Sequence, residues 1–342
     1  MLIPRSEFAG HKDHILNKNI SLIKVMKAFV FHQFHEGPKV IFEERFEKEV
    51  PDGYACVKIL AASLNHRGDN YIMGSDVEEV KDKKYDYLVG KQVIIYPLLG
   101  FGDILGGPND GTFCEKIIVP AENLIAKPYH LTPEQAAAIP VAGSTSYQAL
   151  IVRGGLRAGE TVLITGSGGG CGLFLIQFAK AFGANVFFTT GQKYKQNFIE
   201  DKFNVKGVLY TEENWSDKLK QIVPKEKGGF FDLIVDSSGG KFVPTYLDIL
   251  KRSGRYVFFG QTLGPPSNEI LKNWSTIYVK CLSIMGSDLC NFTDFKSMIN
   301  FIIDHKIVPS IDSVVPFDQI MDQFIKMERR EQIGKLVVSF AK

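Results

Sequence analysis

The chain has little that would tie it to a membrane or a nucleic acid. Across its 342 residues no apolar run approaches the roughly 18 residues of a membrane span, so no membrane partner is expected. Basic residues barely outnumber acidic ones, 40 against 38, and form no dense stripe. A net charge of +2 without such a stripe argues against nucleic acid as a partner. Cysteine is sparse and scattered: Cys56, Cys114, Cys171, Cys281 and Cys290. That pattern suggests no disulfide framework and fits a reducing compartment. Only Cys281 and Cys290 lie near each other, which excludes a four-cysteine zinc lobe. No internal repeat or low-complexity segment is evident. What remains is ordinary for a globular protein of one or two domains: 45% hydrophobic and 23% charged residues.

Residues 1–25 read as an N-terminal extension, because Met26-Lys27-Ala28-Phe29-Val30 begins a plausible strand and could itself be a start site. The extension has no signal-peptide apolar core, and its basic residues are mixed with Glu7 and Asp13. A cytoplasmic location is the expectation, with a mitochondrial address as the alternative.

Glycine, by contrast, is concentrated. Thr165-Gly166-Ser167-Gly168-Gly169-Gly170-Cys171-Gly172 packs five glycines into seven positions. The short β-branched run Thr161–Thr165 precedes it and reads as a buried strand. Leu173–Phe182 follows, long enough for a helix and stopped by Gly183. Val186–Thr190 reads as the next strand. Strand, glycine turn, helix and strand make one βαβ unit. There a pyrophosphate can approach bare backbone N–H groups at a positive helix end. The spacing is G-x-x-G-x-x-G rather than G-x-G-x-x-G, and a tight turn without a ligand would carry the same glycines. The dinucleotide reading rests on the context, and its contacts are Gly166, Gly168, Gly169, Gly170, Cys171 and Gly172.

The end of the second strand bears on which dinucleotide. An NAD site has an acid there for the ribose hydroxyls. Thr190-Gly191-Gln192-Lys193-Tyr194-Lys195 has none, and two lysines follow at once. An ammonium attracts a 2′-phosphate that a carboxylate would repel. NADPH is therefore favoured over NADH, unless these lysines only solvate the next helix.

From Met26 to about Pro128 short apolar segments (Ala55–Leu60, Gln92–Tyr96, Glu115–Val119) alternate with Gly, Pro, Asp and Asn clusters, as in a β-rich domain. Thr132-Pro133-Glu134-Gln135 is a capping box opening a helix. A second helix is expected around Ser146–Val152. Strands at Phe231–Asp236 and Arg255–Phe259, separated by a helix around Pro244–Leu250, continue the alternation of a doubly wound parallel sheet. A helix at Thr293–His305 and a strand at Lys335–Phe340 close the chain.

This ordering resembles the medium-chain dehydrogenase/reductase superfamily, in its zinc-free quinone-oxidoreductase branch. The residues that carry the likeness are Leu64-Asn65-His66-Arg67, Gly111-Thr112-Phe113-Cys114-Glu115 with Val119-Pro120-Ala121, the stretch Leu131–Leu150, the glycine turn, and Ile333-Gly334-Lys335-Leu336-Val337-Val338. The resemblance implies an α/β fold: a Rossmann doubly wound parallel sheet at 146–285, and a GroES-like β-rich catalytic domain from 26–145 and 286–342. It further implies NADPH as cofactor, a quinone or α,β-unsaturated carbonyl as substrate, and a homodimer. By the same likeness Thr145 would contact nicotinamide, Lys193 and Tyr210 the 2′-phosphate, and Asn65 and Tyr71 the reacting groups. Tyr71 stands one residue out of register. Thr190, Phe259 and Gly260 are counted with the cofactor contacts.

No metal is expected. The zinc-dependent branch has a Cys where Asn65 stands and then a Gly-His-Glu segment, and this chain contains no Gly-His-Glu. Catalytic zinc needs three protein ligands and an open position. His35-Glu36 reads as solvated, His66 as a structural or surface residue, and Arg67 as suited to a salt bridge with the cofactor domain rather than to chemistry. One departure from the family pattern stands out. Between Tyr71 and Gly90 a turn and part of a strand are missing. Such a loss should either leave unpaired edge groups or require the sheet to close around it. The first outcome would leave an NADPH-binding protein with little catalysis.

Overall fold

The computed structural model describes residues 25–34, 37–65, 71–100, 103–106, 110–224, 230–266, 268 and 274–340, without the side chains of 31–34, 37–40 and 71–75. Residues 1–24, His35, Glu36, His66 and Arg67, which figure in the sequence reading, lie outside the described residues. The chain divides into two units between Glu49 and Val50. The first holds a hairpin of β1 (Val25–Phe34) and β2 (Gly37–Phe46), paired from Val25↔Phe46 to Phe34↔Gly37. On one face the rings of Phe29 and Phe42 meet edge-on at 4.9 Å.

The second unit contains two sheets. One is mainly antiparallel and has seven strands: β3 (Tyr54–Ser63), β4 (Tyr71–Val80), β5 (Gln92–Ile95), β6 (Lys116–Pro120), β7 (Leu124–Ala126), β14 (Ile311–Pro316) and β15 (Lys335–Ser339). Their order is β14-β15-β3-β4-β5-β7, with β6 also on β3. In β3 Ala55, Val57, Ile59 and Ala61 are fully buried at alternate positions, as a strand packed on its core face requires.

The short passage after Tyr71 has not opened this sheet. β4 pairs β3 from Ser63↔Tyr71 to Ala55↔Val80, and three register irregularities absorb the mismatch. Its other edge meets β5 at Ser75↔Val93, and Gly90 N–H donates to Val77 O at 2.9 Å. On the β3 side the sheet has closed around the gap along all of β4, and toward β5 it is paired at Ser75 and Asp76.

The other sheet is wholly parallel: β8 (Thr161–Ile164), β9 (Asn185–Thr190), β10 (Lys206–Leu209), β11 (Phe231–Asp236), β12 (Leu250–Phe258) and β13 (Ser283–Gly286). Its order, β10-β9-β8-β11-β12-β13, is the 3-2-1-4-5-6 arrangement of a dinucleotide fold. Every residue of β8 is buried, because helices cover both faces.

Two short helices precede this sheet. α1 (Pro133–Ala137) has the expected capping box, with Thr132 and Gln135 bonding reciprocally. α2 (Pro140–Tyr147) starts six residues before the helix expected around Ser146, then widens, so that Gly154 N–H reaches back to Ala149 O. Its first turns are small residues packed against α3 (Gly170–Ala181), so they lack the apolar period that marks a helix in sequence. Farther along lie α4 (Lys193–Phe203), α5 (Trp215–Ile222), α6 (Val243–Ile249), α7 (Trp274–Val279), α8 (Phe292–Asp304) and α9 (Ile320–Glu328). Phe174 and Phe178 of α3 share one core with Phe295, Met298 and Ile302 of α8. Trp215, Leu219, Tyr246 and Leu247 form another with Phe231 and Ile234 of β11. Among the described residues no helix is long and apolar enough to cross a membrane.

Candidate active site

In a doubly wound sheet the chain leaves the central strands in opposite directions, and a crevice opens at their carboxyl ends. Here the central pair is β8 and β11, and a cleft of about 880 Å³ lies there. Its floor is the glycine turn. Gly166 has φ 59°, the left-handed backbone that glycine adopts without strain. At Gly172 a Cβ would come within 2.5 Å of Ser167 Cα, so only glycine lets α3 seat against the turn. Gly169 caps α3 without a side-chain hydrogen bond. The start of α3 thus faces the cleft as the positive end of a helix dipole, which favours an anion.

A buried carboxylate fixes the opposite wall. Asp236, at the end of β11, accepts from Tyr256 Oη at 2.5 Å, Ser238 N at 2.8 Å, Gly239 N at 3.1 Å and from Thr165 Oγ1. It thus ties the start of the glycine turn to the Ser237–Gly239 loop. Burial and the facing carboxylate push the Tyr256 phenol far above its ordinary range, so it remains a donor. Ser237, Ser238, Phe259 and Gly260 line this wall.

At one end of the cleft stand Thr190, Gly191, Lys195, Tyr210 and Arg330. Lys195 is only 8% exposed, and its Nζ donates to Arg330 O at 2.7 Å. Burial lowers its pKa from the ordinary lysine value, with Asp312 opposing. A Cβ on Gly191 would lie 2.5 Å from Tyr210 Oη, so the bare backbone lets the phenol close in. Lys193, at the start of α4, is exposed and donates from Nζ to Gln196 Oε1 at 3.1 Å, and it is not part of the cleft wall. Helical phase explains the difference. Lys195, Ile199 and Phe203 are buried at four-residue spacing on the inward face, whereas Lys193 is turned outward.

At the other end Asn65, Thr145, Cys171 and Lys335 come together. Lys335 opens β15, is 4% exposed, and donates to Asn65 Oδ1 at 2.6 Å and to Leu64 O. Burial pushes its pKa down to about 8, with Cys171 opposing. Thr145 is buried on α2. Tyr71 begins β4 opposite Ser63, and its side chain lies outside the described residues.

One cleft therefore gathers Asn65, Thr145, the turn residues Gly166, Gly168, Gly169, Gly170, Cys171 and Gly172, together with Thr190, Tyr210, Phe259 and Gly260. Sequence reasoning saw both lysines after β9 but assigned the phosphate contact to Lys193 rather than Lys195, and it missed Lys335, Arg330 and the Asp236 anchor. The stripe of Ile199 and Phe203, run back one turn, points to Lys195. Nothing local marks Lys335, a single lysine before an apolar strand. Among the described residues no three His, Cys, Asp or Glu side chains are grouped to hold a metal ion.

Residues 170–304 match the family model described as zinc-binding dehydrogenase. A zinc-type alcohol dehydrogenase-like protein of Leptosphaeria maculans is 30% identical over 278 residues, covering 73% of this chain and 75% of that one. The acryloyl-coenzyme A reductase of Sulfurisphaera tokodaii is 28% identical over 255 residues, covering 73% and 70%. Two fungal polyketide synthases also match, and the chain spans 12% of their length. A putative alcohol dehydrogenase from Sinorhizobium meliloti superposes with a TM-score of 0.82 at 24% identity, covering 94% of this chain and 98% of that one, which establishes the shared fold.

Proposed function

The chain belongs to the medium-chain dehydrogenase/reductase superfamily and is an oxidoreductase of that type, and from that premise we propose that it reduces an α,β-unsaturated carbonyl or a quinone with NADPH and without a catalytic metal. The observation that carries this reading is the pairing of the Asn65 amide with the Lys335 ammonium at the end of the cleft opposite Lys195 and Tyr210. A fixed ammonium repels a divalent cation, and an amide with a lysine beside it is a hydrogen-bond site rather than a zinc ligand set.

The cleft suits a dinucleotide phosphate. The glycine turn offers bare backbone to a pyrophosphate, and a Cβ at Gly172 would collide with the turn itself. Lys195 and Tyr210 stand where an acid would mark NAD, which supports NADPH. When bound, that cofactor supplies the hydride. The protein's own part is positioning and charge stabilisation. Thr145 borders the end where the nicotinamide would lie, and Asn65 Nδ2 is a donor for the carbonyl oxygen as negative charge gathers on it. One such preorganised donor is worth on the order of 10²–10³ in rate. The acryloyl-coenzyme A reductase among the relatives is named for an α,β-unsaturated thioester, which supports the enone over the quinone.

Titration with NADPH and NADH, followed by a screen of enones and quinones for NADPH oxidation, tests the reading. Tighter NADPH binding with turnover of an enone is expected. Tight binding with no turnover on any acceptor would make the chain a dinucleotide-binding protein instead. Self-association belongs to the same proposal. β13 is an outer strand of the parallel sheet, and Ile284 on it is exposed, as are Trp274, Tyr278 and Val279 of α7. An apolar sheet edge of this kind suits a second copy of the chain.

A further inference from the structure

The loop that joins α9 to β15 lines the cleft through Arg329, Arg330 and Gly334. Its two ends are fixed to the mainly antiparallel sheet. Asp312 of β14 accepts from Ile333 N–H at 2.8 Å and pairs with Lys326 of α9, so one carboxylate holds both ends. Its middle is attached elsewhere. From the first turn of α4, Lys195 Nζ donates to Arg330 O at 2.7 Å and Tyr194 Oη to Glu331 O at 2.9 Å. The Arg330 guanidinium donates to Thr262 O at 3.1 Å, in the loop after β12. Gly334 N–H donates to Gly168 O at 2.9 Å, in the glycine turn. Residues 330–334 thus form a strap bonded to three separate parts of the dinucleotide crevice.

Arg330 is an unexpected residue for its place. It follows Arg329, the C-cap of α9, and has φ 56°. Glycine is the usual residue there, because left-handed backbone crowds a Cβ. An arginine at such a position gives up stability that glycine would keep, and only its side chain can offset the loss. That side chain makes the one contact glycine could not, the bond to Thr262 on the wall away from α4. At the far end Gly334 has φ 97°, so the strap runs between two left-handed positions. Arg330 and Glu331 are exposed, and their bonds to the crevice are polar rather than packed. Solvent-exposed bonds of this kind open locally without unfolding the core.

We propose that this strap is a clasp over the dinucleotide site, with Arg330 as its catch: it opens to admit the cofactor, closes over it and sets the rate of cofactor exchange. The proposal rests on reading the cleft as a dinucleotide site. Gly168 and Lys195 mark the path of the cofactor's phosphates from the glycine turn to the end of β9, and the strap is bonded to both. A ligand lying on that path is therefore covered. An ammonium has three donors, so Lys195 can hold Arg330 O and a phosphate at once. The closed clasp and the bound cofactor are then compatible, and only passage in or out requires opening.

Stopped-flow fluorescence of NADPH binding to the full chain tests the clasp. Arg330→Gly removes the catch and suits the backbone, so its urea midpoint should equal or exceed that of the wild type. Its association and dissociation rate constants should both rise about 3- to 10-fold, the worth of one exposed hydrogen bond, because a larger fraction of the protein is open at any moment. Kd should then change little. Tyr194→Phe, which loses the bond to Glu331 O, should move the same two rates in the same direction, and it decides alone should Arg330→Gly fail to fold. Faster dissociation with unchanged or slower association would mean that Arg330 merely holds the ligand, and would overturn the clasp. Wild-type rates in both variants would overturn it as well. A wild type that binds neither NADPH nor NADH removes the dinucleotide reading and this proposal together, whereas a wild type that binds, with unaltered rates in the variants, removes only the proposal.

Discussion

Replacing Lys195 by methionine separates a phosphate-binding role from a packing role. The lysine stem fills space over the glycine turn, where a Cβ on Gly168 would come within 2.6 Å of Lys195 Cδ. Methionine preserves that filling and deletes the charge. Lys195 is 8% exposed and its ammonium is already held by Arg330 O at 2.7 Å, so it is fixed in the wall before any ligand arrives. A charge-assisted hydrogen bond is worth about 1.5–3 kcal/mol, which corresponds to roughly 10- to 150-fold in Kd. Fluorescence titration should therefore show NADPH binding to Lys195→Met weakened by about that factor. NADH, which lacks the 2′-phosphate, should change by less than about twofold on the same reasoning. Lys193→Ala should leave both affinities nearly unchanged, because its Nζ is turned to Gln196. Equal losses for NADPH and NADH in Lys195→Met, or a larger NADPH loss in Lys193→Ala, would refute the argument.

Three further outcomes follow from the same structure. Gly172→Ala places a Cβ 2.5 Å from Ser167 Cα, backbone that cannot swing aside, so it should cost about 1–3 kcal/mol in urea denaturation and weaken dinucleotide binding. Lys335 has a folded-state pKa of about 8 against 10.5 unfolded. Between those values the unfolded chain binds more protons, so stability should rise with pH across that window, by on the order of 3 kcal/mol relative to Lys335→Met measured in parallel. A difference that falls with pH would reverse the sign of the argument. If the proposed dimer forms through β13, Ile284→Lys should turn it into a monomer in light scattering, since Ile284 is exposed on that outer strand.

What could be read before any coordinates was local. The strand–glycine–helix–strand unit from Thr161 to Thr190 is continuous in sequence, and its parts announce themselves by period and punctuation. β10 and β13 do not. Gly207 interrupts β10 because the Phe188 ring occupies the place of its Cβ, and β13 is a short, half-exposed outer strand without alternation. The start of α2 is hidden by its small residues. At the site, the glycines, Asn65, Thr145 and Tyr210 belong to recognisable segments. Lys195 needed the inward phase of α4, which its buried partners Ile199 and Phe203 define. Lys335 meets Asn65, 270 positions earlier in the chain, and no local pattern encodes such a contact.

In the proposed reduction Asn65 serves as a neutral donor where the zinc-dependent branch would hold a metal. The direct measurement is steady-state NADPH oxidation with an enone acceptor, made on wild type before and after exhaustive chelation and on Asn65→Ala. The expected result is turnover untouched by the chelator and reduced about 10²-fold in Asn65→Ala. Activity abolished by chelation and restored by zinc, with Asn65→Ala unimpaired, would contradict it.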